Sequence, residues 1–230
     1  MKNGQFTTDG PYKYPTLWDG CLLAYAPCVS GPTGLTAYDF SGRSQTGSIV
    51  STTADLAWSV DSTGLCAFKS NGGADCITVA NQAAAANGLK GFAISQWLYM
   101  PSSSGYALTG FNDLSSRTSI IAYGGALYWF VGGSYLTSSP LSGWHHYVLN
   151  FAAPTFTGYF DGSPVVTGNS GLSSIACVDP FNIGNGQTSN TVGTLTDDVR
   201  VYSRALNTDE ITLLSIRRGV AFTPVLDFSF

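Results

Sequence analysis

The chain has 230 residues, a formal net charge of −4 and only 10% charged residues, against about 25% in an ordinary globular protein. Its ten Lys and Arg form no basic stripe, which argues against nucleic acid as a direct ligand, and no run approaches the ~18 apolar residues of a membrane span. Gly, Ser, Thr and aromatic residues fill the composition instead, a profile of turns and short strands around one core, with no charged or Pro-rich linker to divide it.

Residues 1–20 are polar, with Phe6, Tyr12, Tyr14 and Trp18 set among Pro11 and Pro15, and read as an extended N-terminal arm. The first residues lack the apolar region of a secretory signal, so export by that route is not expected. Strands are expected at 21–26, 37–40, 48–51, 65–69, 76–79, 92–100, 106–111, 119–123, 126–131, 144–151, 155–160, 164–166, 181–183 and 197–202. All are short, aromatic or β-branched, and separated by Gly, Ser, Asn or Asp. Phe92, Ile94 and Leu98 fall on one face of their strand, and strict alternation groups Val199 and Val201 with Asp197. The alanine run at 81–88 suits a turn or a single helical turn.

The one convincing helix follows the last strand. Asn207 and Glu210 have capping-box spacing, and Ile211, Leu213 and Leu214 follow at helical intervals. Arg217 and Arg218 then sit where cations complement a helix C-terminus, and Gly219 is expected to supply a left-handed cap. The body therefore spans 21–219. Residues 220–230 form an apolar tail carrying Phe222, Leu226, Phe228 and Phe230 on alternate positions, and such a strand needs a partner to cover it.

Three segments carry a resemblance: Tyr38-Asp39-Phe40-Ser41-Gly42; Trp144-His145-His146-Tyr147-Val148 leading to Tyr159-Phe160-Asp161-Gly162; and Asp197 through Leu206. In this order they resemble the concanavalin A-like lectin/glucanase superfamily in its laminin-G-like branch, across nearly the whole chain. The resemblance implies an all-β fold, a two-sheet antiparallel jelly-roll sandwich with one short C-terminal helix.

Glucanases of that superfamily work with paired glutamates. This chain has one glutamate, Glu210, already assigned to the helix cap, and Asp197 and Asp198, as strand neighbours, are expected on opposite faces. No catalytic residues are therefore assigned and no enzyme is expected. His145 and His146 likewise cannot chelate one ion from opposite faces of a strand. Five cysteines without a CxxC pair read as buried thiols, with a Cys66–Cys76 bond only in an oxidising setting. No cofactor is required. Calcium is the one the resemblance implies, with Asp39, Asp197 and Asp198 as its positions, against the alternative that Asp39 caps its own turn and Asp198 pairs with Arg200 or Arg204.

Two functions follow. The first is a non-enzymatic virion protein, a capsid decoration or fibre-like component made in the host cytoplasm and displayed on the particle surface. It would dock on capsid or other virion proteins, or on copies of itself, through Phe222, Leu226, Phe228 and Phe230. The resemblance extends to laminin-G-like proteins of bacteriophages and planctomycetes. The second is a carbohydrate-binding lectin module, extracellular or at a cell surface, holding surface glycans on Tyr106, Tyr123, Tyr128, Trp129 and Tyr135 with Asn112 and Asp113 nearby.

Overall fold

A computed structural model describes residues 14–30, 34–50, 58–70, 75–102, 106–113, 116–178, 180–184 and 193–222. Among these, sixteen strands follow in chain order: β1 (Cys21–Tyr25), β2 (Thr36–Ala37), β3 (Gly47–Val50), β4 (Trp58–Val60), β5 (Cys66–Ser70), β6 (Cys76–Val79), β7 (Gly91–Met100) and β8 (Ala107–Phe111), then β9 (Thr118–Tyr123), β10 (Ala126–Val131), β11 (Ser134–Ser138), β12 (Gly143–Ala152), β13 (Thr155–Phe160), β14 (Ser163–Asn169), β15 (Phe181–Gly184) and β16 (Thr194–Tyr202). The helices are short: α1 (Pro27–Ser30), α2 (Gln82–Ala86) and α3 (Thr208–Leu214). No helix among the described residues is long and apolar enough to cross a membrane.

The strands form two antiparallel sheets. One runs β14-β13-β12-β7-β16-β5-β4, with β1 paired to the later part of β16; the other runs β11-β10-β9-β8-β15-β6-β3-β2. Alternating residues meet between them: Phe92, Ile94 and Leu98 from β7 and Leu149 and Phe151 from β12 face Ile120, Leu127, Trp129 and Phe181. Gln96 shares that inner face of β7 and is satisfied across the gap, where the Thr109 hydroxyl donates to its side-chain oxygen. This is the expected jelly-roll sandwich.

Glycine pairs set the registers that matter most. β9 and β10 are joined by Gly124-Gly125, and β10 and β11 by Gly132-Gly133, all four with positive φ. Two consecutive left-handed residues make the hairpin turn whose twist matches the strands. Strand β11, absent from the sequence expectation, is specified by this second turn.

The other face of the first sheet carries a second core. Leu17, Cys21, Phe40, Tyr202, Leu206, Ile211, Leu214, Val220 and Ala221 are buried there together. Residues 14–20 are accordingly no extended arm: Pro15–Trp18 is a 3-10 turn with Leu17 fully buried, and the Trp18 indole donates to the carbonyl of Ala221. At the other end Val220 and Ala221 are buried in the chain's own body, within a second 3-10 turn, Val220–Phe222. Leu226, Phe228, Phe230 and the side chain of Phe222 lie outside the described residues.

Helix α3 has the capping box read from the sequence: Asn207 Oδ1 accepts from the Glu210 amide and Glu210 Oε2 accepts from the Asn207 amide, each at 2.9 Å. Its C-terminus differs. The helix stops at Leu214 with Ser215 as a right-handed cap, so Gly219 does not terminate it. Gly219 has φ +70°, and its amide donates to Asp198 instead.

Trp129 crosses from β10 to the backbone of β13 at Gly158, where a Cβ would stand 2.5 Å from the indole. Gly158→Ala should therefore cost about 1–3 kcal/mol of stability through overpacking, read as a lower urea midpoint with an unchanged slope.

Candidate functional site

The outer side of the second sheet, away from the core, carries an aromatic patch. In β10 the sequence Leu127-Tyr128-Trp129-Phe130-Val131 alternates, with Leu127, Trp129 and Val131 in the core and Tyr128 and Phe130 facing out. Tyr135 of β11 is paired with Phe130, and its ring lies 5.2 Å from Phe130 and 5.7 Å from Tyr128. Tyr128 and Phe130 are stacked at 5.9 Å. At the other end of β9, Tyr123 meets Tyr106 edge to face at 5.6 Å. Tyr123 and Tyr135 are 59% and 57% exposed, while Leu108 and Ile121 occupy outer positions between the rings and are buried, forming the floor.

Arg117, just before β9, adds a cation. Its guanidinium sits 4.9 Å from the centre of the Phe130 ring, an attractive arrangement because the ring face is electron-rich. Tyr106 also feels it: burial raises the phenol pKa and the Arg117 charge opposes that rise. Asn112 lies at the far end of β8. From Tyr106 to Asn112 the patch is about 20 Å long at roughly 3.3 Å per residue, and across four strands it is about 14 Å wide.

The structure brings Tyr106, Tyr123 and Tyr135 onto this one face, with Asn112 and Asp113 at its end. Asp113 accepts from the Ser116 amide and hydroxyl, both at 3.1 Å, and so shapes the turn between β8 and β9. Trp129 is a correction. It is fully buried, its indole nitrogen donates to Ser138, and its role is packing. Tyr128, expected among the stacking rings, does lie in the patch, and Phe130 and Arg117 join it unexpected; the period of two in β10 was the available signal for Phe130.

The three candidate calcium carboxylates are occupied by the protein itself. Asp39 accepts from the amides of Ala24, Ser41 and Gln45 and from the Ser41 hydroxyl, capping its own turn. Asp198 accepts from Arg200 Nε at 2.8 Å and from the Gly219 amide at 2.9 Å. Asp197 accepts from the amides of Cys28 and Asp198 and has Arg218 at 3.4 Å. Arg218 also binds Asp61 and Thr63 and lies over the Trp144 ring at 4.1 Å. No group of three His, Cys, Asp or Glu among the described residues is arranged to hold a metal ion.

Asp197 and Asp198 are not on opposite faces as strict alternation requires. The pairing of β16 with β7 slips between Asp197 and Arg200, and Asp198 has φ +43°, which marks a bulge. Val199 and Val201 consequently face the main core while Asp197 lies across from Trp97 on the outer side, separated from both valines. Asp198 turns the same way, toward Arg200. Both carboxylates are buried beneath the terminal segments. Glu210 is equally committed: besides the cap, it takes Arg204 through both oxygens at 2.6 and 2.8 Å. All five cysteines are free thiols, including Cys66 and Cys76, and burial pushes the Cys21 thiol up to about 12.

His146 is buried with Nε2 2.9 Å from the Ser95 hydroxyl, whereas His145 is partly exposed between Asp161 and the Ser142 carbonyl. Burial, helped by the Arg200 charge, pushes His146 down to about 3. Burial, with Asp198 adding to it, pushes Asp197 up to about 7.

Two sandwiched sheets, one with an open aromatic face, define a lectin-like jelly-roll domain. Residues 71–212 match the family profile Laminin_G_3, concanavalin A-like lectin/glucanases superfamily, and the chain belongs to that family. Its fold is similar to structures of botulinum neurotoxin binding regions. A type C structure, described with the dependence of that toxin's cell entry on two ganglioside molecules, aligns at 14% identity with a TM-score of 0.63, covering 87% of this chain and 51% of the toxin chain. The serotype D ligand-binding domain in complex with N-acetylneuraminic acid aligns at 13% identity with a TM-score of 0.65, covering 87% and 51%. The receptor-binding domain of the C/D mosaic serotype aligns at 13% with a TM-score of 0.66, covering 86% and 51%. This chain thus spans about half the length of each, and the likeness is one of fold. No curated protein matches the sequence.

His146 and Asp197 give opposite pH slopes. Unfolded His146 takes up a proton as pH falls through 6.5 while the folded residue resists to about 3, so its contribution is lost on acidification across that window. Folded Asp197 keeps a proton up to about 7 that the unfolded residue releases near 3.8, so stability falls as pH rises between those values. Denaturant unfolding between pH 4 and 7 should therefore show a steeper acid-side loss in Asp197→Asn than in the parent. His146→Gln should show the reverse, stability falling as pH rises.

Proposed function

We propose that this protein is a non-enzymatic, carbohydrate-binding lectin-like module whose ligand lies on the outer face of β8–β11. The carrying observation is the convergence of Tyr106, Tyr123, Tyr128, Phe130 and Tyr135 on one sheet face, with two of the rings more than half exposed. Contiguous exposed apolar surface of this kind marks interaction sites, and a wall of rings with a few polar groups at its rim suits the C–H faces and hydroxyls of a saccharide. The toxin regions of similar fold are described with gangliosides and N-acetylneuraminic acid, which supports a glycan as the ligand class. A virion setting rests on the two terminal extensions, whose outer parts are not among the described residues, and no described contact favours it over the lectin reading.

Replacing both exposed rings, Tyr123→Ala with Tyr135→Ala, should reduce glycan binding on an array at least about tenfold, since stacking and apolar burial of this size contribute over 1 kcal/mol. The melting temperature should change little because both side chains are largely in water. Tyr38→Ala, which removes an exposed ring outside this face, should bind as the parent does. Equal binding by the double variant would remove the face as the site.

A further inference from the structure

Arg117 brings a positive charge to the aromatic patch. Among the described residues it forms no ion pair, and its Nε is buried without a hydrogen-bond acceptor. Asn112 stands beyond the paired residues Phe111 and Thr118, level with Arg117, and both atoms of its side-chain amide are buried without a partner. Asp113, the nearest carboxylate in sequence, is engaged by Ser116. Withdrawn polar groups are normally satisfied in folded proteins, and a half-buried guanidinium without a carboxylate is the more costly case.

The guanidinium carbon sits 4.9 Å from the centre of the Phe130 ring, and a guanidinium presents its N–H groups as a planar fork. That fork matches the two oxygens of a carboxylate. Asn112, level with Arg117, carries one further donor group and one acceptor group that the described residues leave unused. We infer that the ligand of this face is an acidic saccharide, a sugar bearing a carboxylate, with Arg117 taking the carboxylate while the pyranose faces lie on Tyr128, Tyr135 and Tyr123. This rests on the saccharide reading of the same face and adds a sign of charge to it.

The test uses the full chain on a glycan array that presents uronate- and sialate-containing oligosaccharides beside their carboxyl-reduced counterparts. The parent should retain acidic members selectively, with affinity falling as NaCl is raised from 50 to about 500 mM. Arg117→Gln should weaken acidic members about 10- to 100-fold and the reduced ones much less, so that the discrimination between them collapses, and Arg117→Lys should recover part of the loss because the charge remains without the fork. If Arg117→Gln melts too early to assay, the parent's discrimination between each acid and its reduced form decides alone. Equal binding of acidic and reduced members overturns the acidic ligand and leaves the face as a saccharide site. Binding to no glycan of either kind overturns both.

Discussion

All nine residues of β16 are buried, and a strand buried on both sides needs two apolar layers. Val199 and Val201 supply the inner contact. On the other side Tyr202 packs with Leu17, Ile211, Leu214 and Val220, contributed by the first and last described segments of the chain. The central strands of the first sheet are thereby closed on both faces. Among the described residues no comparable second core covers the outer side of β9–β11, where Tyr123 and Tyr135 stay more than half exposed. The location of the candidate site follows from where the terminal segments pack.

Apolar burial favours that cover, but it does not fix its orientation. Direction comes from polar contacts clustered at the β16 bulge: Arg200 on Asp198, the Gly219 amide on Asp198, and Arg218 bridging Asp61 and Asp197. Buried ion pairs add little net stability compared with well-packed apolar groups, yet removing one partner costs roughly 3–5 kcal/mol because a charge is stranded. Such a network penalises misdocked arrangements of the C-terminal segment more than it stabilises the docked one. The bulge is what brings both aspartates to the same side, so a local irregularity of one strand sets the alignment of a segment twenty residues later.

Features controlled by local geometry were legible in the sequence. The Asn207–Glu210 cap depends on residues three apart, and most strands announce themselves by alternation between turn residues. The errors arise where distant partners decide. Gly219 looks like a helix cap, but its amide is claimed by Asp198 and Arg218 is drawn to Asp61, neither of which helix spacing reveals. The Asp197-Asp198 bulge broke a correct alternation rule because nothing local marks the extra residue. Trp129 differs: grouped with the other aromatics as a stacking ring, it is placed inside by its position in the β10 alternation. The Gly132-Gly133 turn that specifies β11 was in plain view.

The aromatic patch has two physical explanations, and exposure separates them. Cross-strand ring pairs stabilise antiparallel sheets by about 0.2–1 kcal/mol each, so Tyr128, Phe130 and Tyr135 help to hold the edge strand β11 in register whatever they bind. That role asks the rings to bury area against one another. It does not account for Tyr123 and Tyr135 keeping more than half their surface in water, nor for a guanidinium set over Phe130 with no ion pair among the described residues. Sheet pairing and recognition are therefore compatible uses of the same residues. The glycine turns fix the strands, the paired rings stiffen the surface, and what remains exposed is a preorganised platform that would lose little ordering entropy on taking up the proposed saccharide.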